Sequence, residues 1–116
     1  MNHKDLDVWK AAMDLAEAVY QLTKTFPKEE IYGITSQIRR AVVSLPSNIS
    51  EGAARSSPKE LQNFLGYAIG SLAELETQLL LAQRLAYFTE PQVFDRINHV
   101  RAMLLGLRRS VRVRNA

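Results

Sequence analysis

The chain predicts an all-α fold, an antiparallel up-down-up-down four-helix bundle. Three observations carry that expectation. Apolar residues spaced four then three apart recur in four separate stretches of the 116-residue sequence. The connections between the stretches are short, and each holds a residue type that starts or stops a helix. A helix with one apolar seam can hide it only against other seams, so four such helices close on a shared interior. Residues 1–116 then form one domain, long enough to bury roughly two-thirds of the unfolded surface.

The first seam runs through Val8, Ala12, Leu15, Val19, Leu22 and Phe26. The helix is expected to start at Asp5 or Asp7, whose carboxylate can accept the free amides of the first turn, and to end near Phe26, before Pro27. Residues 27–33 mix a helix-incompatible proline with a glycine, giving a loop with room for one turn of its own, and Thr35 or Ser36 is the expected cap of the second helix.

The second seam comprises Ile38, Val42, Leu45, Ile49 and Gly52. Pro46 lacks an amide donor and would ordinarily break a helix. The seam keeps its phase across the proline, so one kinked but continuous helix to about Ala54 is predicted.

The third seam runs from Leu61 through Leu65, Ala68, Leu72, Leu75, Leu79 and Ala82 to Ala86. Ser57, Pro58 and Glu60 form a capping-box start, and the helix should reach about Tyr87, roughly 45 Å away. The fourth seam uses Val93, Ile97, Val100, Leu104, Leu107 and Val111. Thr89 with Gln92 repeats the capping box, Phe88 with Val93 occupies the staple positions, and the end from Arg108 to Ala116 is expected to fray.

Met13, Tyr20, Phe64, Ile69, Leu80, Met103 and Leu105 lie off these seams, and Leu79, Leu80 and Leu81 face three directions at once. That surplus predicts a homo-oligomer. Gly66 and Gly70, four apart within the third helix, would let another helix approach closely. Ser71, Glu74 and Gln78 form one polar stripe and Asn48 with Glu51 another; if they face each other they form a hydrogen-bonded seam that fixes helix register or subunit contacts.

Catalytic chemistry finds no support. The sequence has no cysteine, which excludes disulfides and thiolate metal sites. His3 and His99 do not supply the Glu-x-x-His spacing of a di-iron bundle, and Arg96 stands too close to His99 for a helical ribonuclease. No nucleophile-base pair or phosphate-cradling glycine loop occurs, so no catalytic, cofactor-binding or metal residue is assigned. The charged start of the chain and the lack of a long uncharged stretch lead to the expectation of a cytoplasmic protein with no membrane partner.

Charge is lopsided. Residues 1–95 hold nine basic and twelve acidic side chains, and six arginines with no acid come after them. One sign on one element attracts polyanions or an acidic neighbour, although a solvated face is the simpler alternative. Arg108, Arg109, Arg112 and Arg114 are therefore the first candidates for binding RNA or DNA, with Arg39, Arg40, Arg55 and Lys59 as a second patch around helix 2 and its turn into helix 3. The competing expectation is a scaffold whose surplus apolar surface binds a protein partner.

Three segments resemble a known family: residues 5–10 with Trp9, residues 35–52 with the Pro46-x-Asn48-Ile49-x-Glu51-Gly52 element, and residues 64–79. They are similar to the four-helix bundle proteins encoded in intervening sequences of the 23S ribosomal RNA gene. Ser50 stands where that family has alanine, a mild departure. The resemblance covers nearly the whole chain. It implies a bacterial protein, an antiparallel bundle, a ring-like homopentamer and no enzymatic activity. It also implies kinship with the accessory protein of diversity-generating retroelements, which binds nucleic acid and a reverse transcriptase.

Overall fold

A computed structural model describes residues 1–111 of the chain. Four helices account for the architecture: α1 (Asp7–Thr23), α2 (Ile34–Ala54), α3 (Pro58–Arg84) and α4 (Gln92–Ser110). Single 3-10 turns at His3–Asp5 and Lys28–Glu30 precede α1 and α2. Helices adjacent in sequence pack side by side, α4 closes back on α1, and neither diagonal pair comes together among the described residues. The Gln62 side chain near the start of α3 reaches the carbonyls at the end of α4, and Arg39 near the start of α2 reaches Thr23 at the end of α1. Neighbours therefore run antiparallel in a bundle measuring 52 × 24 × 23 Å.

The seams are the core. Leu15, Ile38, Leu45, Ile49, Leu65, Leu72, Leu75, Leu79, Ile97 and Leu104 are all fully buried. Each such side chain removes apolar area from water worth about 1.5–3 kcal/mol, and this burial is what makes four marginal helices hold together. Leu22, Leu107 and Val111 sit half-buried at the edges. Helix α2 continues through buried Pro46 as expected. At its far end Gly52 lies so close to α3 that an added Cβ would come within 2.8 Å of Phe64 Cβ.

Several boundaries differ from expectation. Helix α1 does start at Asp7, but neither the Asp5 nor the Asp7 side chain caps it; Asn2 instead caps the preceding turn through its Oδ1, 3.0 Å from the Lys4 amide. Helix α1 stops at Thr23 rather than Phe26, and the chain then turns so that Phe26 folds inward against Tyr87 and Phe88. Helix α2 begins at Ile34 behind an uncapped Gly33, so neither Thr35 nor Ser36 is its cap. The Ser57 hydroxyl does accept the Glu60 amide at 3.4 Å, one half of the capping box; among the described residues the Ser57 amide makes no return bond to the Glu60 carboxylate. Thr89 does not cap α4, because the helix starts behind Pro91, two residues further on; the Thr89 amide donates to the Glu90 carboxylate at 3.3 Å.

Helix α3 ends at Arg84, short of Tyr87. The amides of Tyr87 and Ala86 donate to the Ala82 and Gln83 carbonyls, both at 3.0 Å, and Ala86 takes a φ of 62°. This is a Schellman ending, with alanine where glycine ordinarily relieves the left-handed strain. Ala86 consequently leaves the seam and is exposed.

A methyl group added at Gly66 or Gly70 would meet nothing within 4 Å, so no helix of the same chain approaches them. The polar stripes meet in part. Ser44 Oγ and Ser71 Oγ are 2.9 Å apart and Asn48 Nδ2 donates to Ser44, tying α2 to α3, while Glu51 stays exposed outside this network. Off the seams, Ile69 and Met103 pack partly against the core, whereas Met13, Tyr20, Leu80, Leu81 and Leu105 are exposed.

Candidate nucleic-acid interface

Antiparallel order brings the end of α2, the start of α3 and the end of α4 to one end of the bundle. Arg55 directly ends α2, in extended backbone, with its guanidinium 5.0 Å above the Phe64 ring. Lys59 is exposed in the first turn of α3. Arg108 and Arg109 are exposed in the last turn of α4, where they also complement the negative end of the helix dipole.

Gln62 joins these elements. Its Nε2 donates to the Val111 carbonyl at 2.6 Å and the Arg108 carbonyl at 3.4 Å, so the α4 terminus is held against α3 one turn from Lys59. Nothing in the spacing of the sequence singles out Gln62, because the signal is a side chain satisfying carbonyls that only folding brings near. Arg112 and Arg114 lie outside the described residues.

The second sequence patch is divided by the fold. Arg40 and Arg55 belong to one helix and its cap, but fifteen residues at 1.5 Å separate them by about 22 Å along its axis. Arg39 is half-buried, its Nε donating to Thr23 Oγ1 at 2.9 Å and its guanidinium 4.8 Å over the Tyr20 ring. Of the late arginines, Arg101 is engaged in an ion pair with Glu76 at 2.7 Å, which binds α4 to α3. Arg96 faces a shallow groove shared with Asp14 on α1. Four candidates therefore gather at one end: Arg55, Lys59, Arg108 and Arg109.

Acidic side chains temper that end. Asp5, Asp7, Glu51 and Glu60 lie on its flanking turns, yet none pairs with the four cations within ion-pair distance. These four cations can hold phosphates by charge, and among the described residues no hydrogen bond fixes their side-chain donors for reading base edges. His99 is exposed in the groove with Asp14 and Asp95 and makes no hydrogen bond to either. Among the described residues no three His, Asp or Glu side chains converge on a point where a metal could sit.

No described helix is long and apolar enough to cross a membrane. Residues 4–106 match the family model described as 23S rRNA-intervening sequence protein. Arg55 and Lys59 fall inside the matched span and Arg108 and Arg109 beyond it. The search of curated proteins found no match.

Proposed function

This chain belongs to the 23S rRNA-intervening sequence protein family, and we propose that it is a non-enzymatic, cytoplasmic homo-oligomer that grips RNA or DNA by the phosphates. The observation that carries the reading is the gathering of Arg55, Lys59, Arg108 and Arg109 at one end of the bundle, free of carboxylate partners among the described residues. Oligomerisation rests on the exposed Leu80, Leu81 and Leu85 near the end of α3 and on the open face at Gly66 and Gly70. The family resemblance points to five subunits. Repeating a weak cationic site on a ring multiplies its avidity without any new contact.

Titration of a structured RNA and a duplex DNA at two salt concentrations tests the reading. Affinity should fall with a logarithmic slope of about −0.7 to −0.9 per neutralised phosphate. Arg108→Glu with Arg109→Glu should weaken every sequence alike. No binding at low salt overturns the proposal. A protein scaffold is the second reading, favoured by the same exposed leucines; it keeps its partner when these arginines are replaced, where a phosphate binder loses its polyanion.

A further inference from the structure

A groove crosses the outer face of α2 at the end of the bundle remote from Arg55. It begins in a concavity of about 420 Å³ beside Lys24, Lys28 and Pro27, and continues into one of about 560 Å³ through the shared residues Ile31, Thr35 and Arg39. Arg40 and Ser44 carry it onward into a third of about 340 Å³, which ends at Glu74 on α3.

Its walls are unusual in two respects. Ile31, Val43 and Tyr20 are large apolar side chains 48%, 45% and 37% exposed. Four cations, Lys24, Lys28, Arg39 and Arg40, line it against the single carboxylate of Glu74, and none of the four has an ion-pair partner among the described residues. Arg39 is oriented through Nε by Thr23, leaving both terminal nitrogens without a hydrogen bond among the described residues. Thr35, 2% exposed, lines the same groove with a buried hydroxyl that has no partner among them either.

We propose that this groove docks an extended acidic and apolar peptide segment of a partner protein, with carboxylates on Arg39 and Arg40 and apolar side chains on Ile31 and Val43. Charge complementarity selects the acidic segment, since an oriented guanidinium with two free donors suits a carboxylate. The aliphatic wall selects a peptide over a nucleic acid, whose backbone gives Ile31 and Val43 nothing to cover. The continuous, open shape selects an extended segment over a compact small molecule. The site lies about 22 Å along α2 from Arg55, so it goes beyond the phosphate-binding reading and stands or falls separately from it.

Fluorescence anisotropy of the full chain with a short labelled peptide alternating glutamate and leucine is the test. Arg40→Glu should weaken binding by about tenfold or more, as loss of a charge-assisted bond requires. Val43→Ser should weaken it several-fold. Both residues are on the surface, and unchanged helical circular dichroism confirms that the variants fold.

The proposal is overturned if the glutamate-leucine peptide does not bind, if a glutamine-leucine peptide binds equally well, or if an RNA oligomer of equal charge displaces the labelled peptide. It is also overturned if Arg40→Glu changes the subunit number in sedimentation, which would make the groove a contact between copies of this chain. The Arg108 and Arg109 variants, which test phosphate binding, should leave the peptide affinity unchanged.

Discussion

The Arg39 guanidinium donates through Nε to the Thr23 hydroxyl at 2.9 Å, and that hydroxyl donates in turn to the Val19 carbonyl at 2.9 Å. A surface-type cation thus becomes part of the α1–α2 joint. Thr23→Val keeps the shape but leaves the Arg39 Nε–H without its acceptor, and should lower stability by about 1–2 kcal/mol. Arg39→Ala should cost a similar amount. Urea unfolding of the two single variants and the double variant should show non-additive losses, because both remove the same bond.

Tyr87 donates its phenol to Glu30 Oε2 at 2.8 Å, fastening the end of α3 to the turn before α2. The bond to Glu30 raises the phenol above its ordinary value of 10.0, with desolvation and the negative charges of Glu30 and Glu29 adding to the effect. The folded protein holds this proton more tightly than the unfolded chain does. The stabilisation is therefore complete below the ordinary tyrosine value and is lost as pH rises through the raised one. Melting temperature should drop in strongly alkaline solution, and Tyr87→Phe should lower it at neutral pH while flattening the alkaline decline.

Ala86 holds a left-handed conformation, φ 62°, at the end of α3. Ala86→Gly removes the clash between Cβ and backbone at an exposed site. It should stabilise the protein by about 0.5–1 kcal/mol, a rare gain for a glycine substitution. Thermal unfolding would detect the rise, and a fall would show that the ending is not strained.

Gly52 and Gly66 should respond oppositely to alanine. A Cβ at Gly52 would meet Phe64 Cβ at 2.8 Å and Leu61 Cδ1 at 3.1 Å, and the backbone-anchored Cβ of Phe64 cannot swing aside. Gly52→Ala should destabilise by about 1–3 kcal/mol. Gly66 meets nothing, so Gly66→Ala should stabilise the single chain by up to about 1 kcal/mol through helix propensity. If subunits pack against that face, the same variant should weaken their association at unchanged or higher helix stability, which sedimentation would register.

The apolar rhythm makes the bundle readable because burial along one seam is a property of spacing, and nearly all the seam residues from Val8 to Leu104 are buried. Continuity through Pro46 is readable for the same reason. Helix ends are not, since they depend on which backbone groups find partners after folding. Ala86 keeps the seam's phase yet leaves the helix, and Thr89 stands two residues ahead of the Pro91 behind which α4 starts.

The cationic candidates are readable as types but not as places. Arg55, Lys59, Arg108 and Arg109 converge through the antiparallel return of α4, whereas Arg39 and Arg40 fall on the opposite half of α2. The Arg39–Thr23 bond joins residues sixteen apart, and no local pattern marks it.

Among the described residues, three of the four helix–helix seams join elements that succeed one another along the chain, and only the α1–α4 seam spans nearly its whole length. Such topology has low contact order, so the loops closed early are short and the rate of folding should fall in the microsecond-to-millisecond range. Hairpins of consecutive helices can form independently, and docking of α4 on α1 completes them. Truncations that weaken only the α1–α4 seam should accordingly speed unfolding more than they slow folding, in contrast to truncations at Leu72 in the middle of α3.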